Sequence, residues 1–116
     1  MHNFRELKVW KMGIEISKLI FELTRSFPAE ERYSLTSQLT RCAVSVPSNI
    51  AEGCGRKSPK ELNQFLSISL GSAFELETQT ISYEFGYINK AIYEDTVIRI
   101  NELQKMISGL QRSLVT

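Results

Sequence analysis

Residues Gln38 to Arg56, read as QLTRCAVSVPSNIAEGCGR, set two unlike stripes side by side on one helix. Leu35, Leu39, Cys42, Val46 and Ile50 recur every three or four residues and form an apolar face. Gln38, Arg41, Ser45, Asn49, Glu52 and Arg56 recur at the same spacing and form a polar face next to it. A solvated face ordinarily carries interchangeable Lys and Glu. This one mixes amides, a hydroxyl and single charges, so both faces constrain what packs against them.

The rest of the chain reads as three further helices, without strands. The first runs from about Arg5 to Ser26, with Val9, Met12, Ile16, Leu19, Ile20, Leu23 and Phe27 on one stripe and Leu7, Trp10, Ile14 and Phe21 on a second. A helix apolar on two sides needs two neighbours, and Pro28 ends it. The second helix starts after Ser34, a favourable N-cap, behind a short turn at Pro28 to Arg32. Pro47 interrupts it, and Gly53 and Gly55 stop it. Ser58, Pro59, Lys60 and Glu61 then give a capping box with proline at the first helical position. The third helix continues to about Phe85, near Gly86. Its stripes are Leu66, Leu70, Phe74, Ile81, Phe85 and Ile88, and Leu62, Ala73, Leu76, Tyr83 and Tyr87. One bundle core needs only one of them, so the second marks either a central, well-buried helix or a subunit interface. The fourth helix runs from about Tyr93 to Leu114, with Glu94 and Asp95 in its first turn. Its Ile100, Leu103, Ile107, Leu110 and Leu114 make a coiled-coil-like seam. Short connections make successive helices antiparallel, which predicts an up-down-up-down four-helix bundle forming a single domain over residues 1–116.

Composition narrows the function classes. The chain has 116 residues, 42% of them apolar and 23% charged, as in globular domains. Fourteen Lys and Arg against thirteen Asp and Glu leave a net charge of +1, so the molecule as a whole is no polycation. It has no apolar run of about 18 residues to span a bilayer and no signal-peptide core near its start, so the expected location is cytoplasmic, away from membranes. Cys42 and Cys54 fall about 18 Å apart on one helix, too far for a disulfide within the chain. Cys42 is expected in the core and Cys54, between two glycines, at the surface. Catalytic and cofactor signatures are missing: the single histidine, His2, is near the terminus, there is no Glu-x-x-His pair, and no cysteine–histidine metal spacing. The expectation is a non-enzyme without metal or cofactor.

Five words in order resemble one known family: FRELKVW (Phe4 to Trp10), SFPAEERYSL (Ser26 to Leu35), QLTRCAVSVPSNIAEGCGR, ELNQFL (Glu61 to Leu66) and LGSAFELETQ (Leu70 to Gln79). The chain is similar to the bacterial four-helix-bundle proteins encoded in intervening sequences of 23S ribosomal RNA genes. That resemblance implies a bundle assembling as a ring-like homopentamer. It also implies kinship with the accessory variability protein of diversity-generating retroelements, a basic pentamer that binds nucleic acid and a reverse transcriptase. This near-neutral chain departs from that basic relative.

Two constellations carry the candidate sites. Folding the second and third helices back at Lys57 pairs positions whose numbers sum to roughly 114. Gln38, Arg41, Ser45 and Asn49 then face Ser72, Glu75 and Gln79, and an Arg41–Glu75 ion pair is expected. The seven form either a solvated hairpin face or, with the resemblance, a partly buried network setting helix register or subunit contacts. Asn49 is expected to satisfy backbone freed near Pro47. The second constellation is charge polarity. One end gathers Arg5, Lys8, Lys11, Arg56, Lys57, Lys60 and Arg112 against Glu6, Glu52 and Glu61, an excess of four positive charges. The other sets Arg25, Arg32 and Lys90 against Glu22, Glu30, Glu31, Glu84, Glu94 and Asp95. Arg5, Lys8, Lys11, Arg56, Lys57 and Lys60 are therefore the candidates for contact with RNA or DNA. The glycines of AEGCGRKS lack the P-loop spacing and follow a helix, so a tight turn explains them better. The expected function is an oligomeric accessory or scaffold for nucleic acid or a nucleic-acid enzyme; the alternative is a protein-interaction module.

Overall fold

The structure, a computed structural model, describes residues 2–114. Its helices are α1 (Lys8–Thr24), α2 (Leu35–Cys54), α3 (Pro59–Gln79) and α4 (Lys90–Ser113), with 3-10 turns at Phe4–Glu6, Ala29–Glu31 and Thr80–Phe85. No strand occurs among the described residues. Each helix packs on its neighbours in the chain, and α1 closes the bundle against α4. The long axis measures 45 Å. Bonds from Ser17 to Ala43, Ser45 to Ser72 and Asn101 to Glu77 run between helices whose numbering climbs on one side as it falls on the other. The bundle is antiparallel throughout.

The core is filled from the predicted seams. Ile16 and Ile20 of α1, Leu39, Val46 and Ile50 of α2, Leu62, Leu66 and Leu76 of α3, and Ile100, Leu103 and Ile107 of α4 are all buried. Each such side chain contributes roughly 1.5–3 kcal/mol relative to exposure.

On α3 the predicted stripes are corrected. Leu62, Leu66, Ser69, Ala73 and Leu76 face the core, Leu70 is half-buried, and Phe74, Ile81 and Phe85 are exposed. Spacing of four residues advances about 40° beyond a full turn at each step, so Leu66, Leu70 and Phe74 wind off the core face. Beyond Gln79 the chain tightens to 3-10 geometry, which resets the direction of every later side chain. The α-helix therefore ends at Gln79, not Phe85. Gly86, at φ +80°, turns the chain toward α4. That helix begins at Lys90, capped by Asn89 Oδ1 accepting from the Ile92 amide at 2.9 Å. Glu94 and Asp95 thus lie beyond the first turn, pairing with Lys90 and Arg99 instead.

The N-caps differ from each other. Ser58 Oγ accepts from the Glu61 amide at 3.2 Å and Pro59 opens α3, as the capping sequence predicts. Ser34 precedes α2, but its hydroxyl donates to Glu31 at 2.6 Å and leaves the helix amides alone.

Pro47 organises the middle of the bundle. It has no N–H to give the Ala43 carbonyl, four residues earlier. Ser17 Oγ of α1 takes that place at 3.1 Å. Asn49, expected in this role, donates instead to the carbonyl and hydroxyl of Ser45 at 2.8 and 3.0 Å. On the other side Ser69 of α3 donates to the Val46 carbonyl at 2.9 Å. The proline ring is buried against Gly13, where a Cβ would lie 3.2 Å from the Pro47 Cβ. Two buried serines and a glycine thereby fix α2 against both flanking helices.

Candidate functional site

The polar stripe of α2 and that of α3 do meet. Cys42–Glu75, Cys42–Ser72, Ser45–Ser72 and Ser69–Val46 contacts join positions whose numbers sum to between 114 and 117, the predicted register. Gln38, Arg41, Cys42 and Ser45 line one wall of a groove of about 450 Å³; Ser72, Glu75 and Gln79 line the other. The Ser45 and Ser72 hydroxyls are 2.8 Å apart across its floor, held by Asn49 from below. Six of the seven predicted network residues line this groove, and Asn49 supports it.

The expected Arg41–Glu75 ion pair is not formed. Four ion pairs occur among the described residues, and all lie elsewhere. The Glu75 carboxylate instead takes the Cys42 thiol, Sγ to Oε1 2.6 Å. Both Arg41 and Glu75 are exposed, and only Ser45, Asn49, Ser72 and Gln79 are half-buried. The network is a solvated groove with ordered hydroxyls at its base. Cys42 lies on the core stripe and serves both faces: it is buried, and its sulfur meets the groove. Burial, then the neighbouring Glu75 as hydrogen-bond partner and negative charge, pushes its thiol up to about 12. Cys54, expected at the surface, is 3% exposed because the end of α2 is covered by the Phe4–Glu6 turn and clasped by α3. Burial raises its thiol too. Neither cysteine is an activated nucleophile.

The basic end is assembled from exposed cations. Arg5 sits in the first 3-10 turn with its guanidinium over the Phe4 ring, 4.4 Å from the centroid. Lys8 and Lys11 stand on the opening turns of α1 and line a shallow α1–α4 groove with Glu15, Arg99 and Glu102. Arg56 pairs with Glu52 at 3.1 Å and lies over Phe65, so its charge is partly committed. Lys57 and Lys60 flank the start of α3 and are exposed. Gln111 Nε2 bonded to Ser67 Oγ at 3.0 Å brings the end of α4 toward the start of α3. The other end is aromatic and acidic: Tyr83 stacks on Tyr93 at 4.3 Å, Phe27 meets Tyr87 at 5.3 Å, and Tyr87 donates to Glu31 at 3.0 Å. Hydrogen bonds from Ser34 and Tyr87 lower the Glu31 carboxyl.

A profile for the 23S rRNA-intervening sequence protein matches residues 5–109. The chain belongs to that family. No curated protein matches it. Among solved structures it is similar to a protein of unknown function from the S23 ribosomal protein family of Bacteroides thetaiotaomicron, at 23% identity and a TM-score of 0.83. The match covers 90% of this chain and 98% of that one, and at that identity it speaks for the fold.

In this 23S rRNA-intervening sequence family member no three His, Cys, Asp or Glu side chains among the described residues are placed to hold a metal ion. No helix among them is long and apolar enough to cross a membrane. Sequence reading missed the opposite flank of α3. There Glu77 Oε1 accepts from Asn101 and Gln104 of α4, each at 2.9 Å, while Gln104 also reaches the Ala73 carbonyl at 3.3 Å. The signal was the pair of amides three residues apart on α4, facing a carboxylate among apolar neighbours.

Proposed function

We propose that this family member is a non-catalytic, self-associating scaffold that contacts nucleic acid with the basic end of its bundle. What carries the reading is the excess of exposed cations there: Arg5, Lys8, Lys11, Lys57 and Lys60, with Arg56 partly neutralised by Glu52. One such end is a modest polyanion site. Repeated around a homopentamer, it presents about five patches, enough for phosphate contacts that release counterions. Self-association is supported by exposed apolar side chains on several helices, including Phe21, Ile68, Phe74 and Ile98, each about half exposed or more. The cytoplasm is the expected setting, and a nucleic-acid enzyme is a fitting second partner.

Fluorescence anisotropy against structured RNA and duplex DNA across a salt series tests the proposal. Affinity should fall steeply between about 50 and 200 mM salt. Removing Lys57 and Lys60 together should weaken binding and flatten the salt slope. Absence of binding at low salt overturns the nucleic-acid role. The second reading, a protein-interaction module, rests on the same exposed apolar side chains; its association would be insensitive to salt and lost on Phe74→Ser.

A further inference from the structure

We propose that the groove between α2 and α3 is a binding site for a small zwitterion of the α-amino-acid class, with Arg41 holding the carboxylate and Glu75 the ammonium. Three observations carry this. First, the two opposite charges stand on opposite walls of one groove and do not neutralise each other. A guanidinium and a carboxylate so placed are complementary to a ligand carrying both signs, and the guanidinium fork suits a carboxylate bidentately.

Second, the base of the groove is built. Cys42 is 4% exposed, and its thiol meets both Glu75 Oε1 and, at 3.5 Å, the Ser72 carbonyl, so it orients the carboxylate. Asn49, Ser45 and Ser72 form a hydrogen-bonded chain at its base, and the two hydroxyls keep acceptor capacity beyond those bonds. Held side chains lose little freedom when a ligand arrives. Third, Gln38 and Gln79 put an amide on each wall, so the periphery offers donors and acceptors where a polar side chain would extend. The volume of about 450 Å³ lies within the range of small-molecule sites, about 300–1,000 Å³. This inference is independent of the nucleic-acid reading, whose cations lie at the end of the bundle.

The test is thermal denaturation of the full chain with each proteinogenic amino acid at about 10 mM, followed by calorimetric titration of those that stabilise it. At least one should raise the midpoint and bind at one site per chain. Its N-acetyl form, which lacks the ammonium, and its amide, which lacks the carboxylate, should each bind about tenfold more weakly or worse. Arg41→Gln should weaken the amino acid and its N-acetyl form while sparing the amide; Glu75→Gln should do the reverse. Both side chains are exposed, so both variants should fold, as circular dichroism would verify. The proposal is overturned if no amino acid stabilises the protein, or if binding is indifferent to both substitutions. It is also overturned if sedimentation shows that either substitution dissociates the oligomer, for a second copy then fills the groove.

Discussion

Helix α3 carries two carboxylates two positions apart, and they live in opposite circumstances. Glu77, on the α4 flank, accepts from two amides at 2.9 Å and is half-buried. Glu75, on the α2 flank, is exposed and meets only a thiol. A two-residue step rotates a helix by about 200°, so one helix presents a closed seam and an open one almost back to back. Where a carboxylate has its partners within the chain, as Glu77 Oε1 does, the seam is structural. Where charges face each other without pairing, the seam is available for something else.

The largest effect should come from breaking the closed seam. Glu77→Ala leaves the Asn101 and Gln104 amides without their shared acceptor, and should cost about 1.5–3 kcal/mol in chemical denaturation. A loss below about 0.5 kcal/mol would mean that water serves those amides equally well, and the distinction between the flanks would dissolve.

Glycines sharpen the same contrast. At Gly53, where α2 crosses α3, an added Cβ would lie 2.8 Å from the Phe65 Cβ and 2.9 Å from Leu62 Cδ1. Gly53→Ala should therefore cost about 1–3 kcal/mol despite alanine's better helix propensity. At Gly71, exposed on α3, a Cβ would meet nothing within 4 Å. Gly71→Ala should stabilise by about 0.5–1 kcal/mol. If both substitutions raised the melting midpoint, helix propensity and not interhelical fit would govern both positions.

How far the chain could be read in advance follows the same division. The bundle, the α2–α3 register and the groove residues were legible because periodicity fixes which side chains share a face. The Arg41–Glu75 ion pair was not, because facing registers say nothing about how far apart two long side chains end. Ser17 on a core stripe looks like a fault until Pro47 is seen to free the Ala43 carbonyl, and Ser69 looks like one until its bond to the Val46 carbonyl is seen. The true face of α3 was hidden by the change from α to 3-10 geometry after Gln79, which no hydrophobic pattern announces. Cys54 was misjudged because its neighbours in sequence are glycines, whereas its neighbours in space are the covering Phe4–Glu6 turn and the core.

On the open flank the expected stability effects are small. Glu75→Ala should cost less than about 1 kcal/mol, since no ion pair is lost and the site is solvated. The effect of Glu75 should still be visible in the titration of Cys42. Cys42 is pushed from 9.0 to about 12, first by burial and then by the Glu75 hydrogen bond and charge. An unfolded chain would release that proton near 9.0, so above this pH the unfolded state binds fewer protons than the folded one. The resulting stabilisation is complete below pH 9.0 and declines as pH rises toward 12. Glu75→Gln removes the charge and leaves the burial, so the thiol should come down part of the way. Alkylation rate against pH, in a Cys54→Ala background, reads this directly. A midpoint already near 9.0 in the parent would show that the thiol is neither buried nor held by Glu75. A midpoint unmoved by Glu75→Gln would leave burial as the sole cause and Glu75 as an unanchored surface charge.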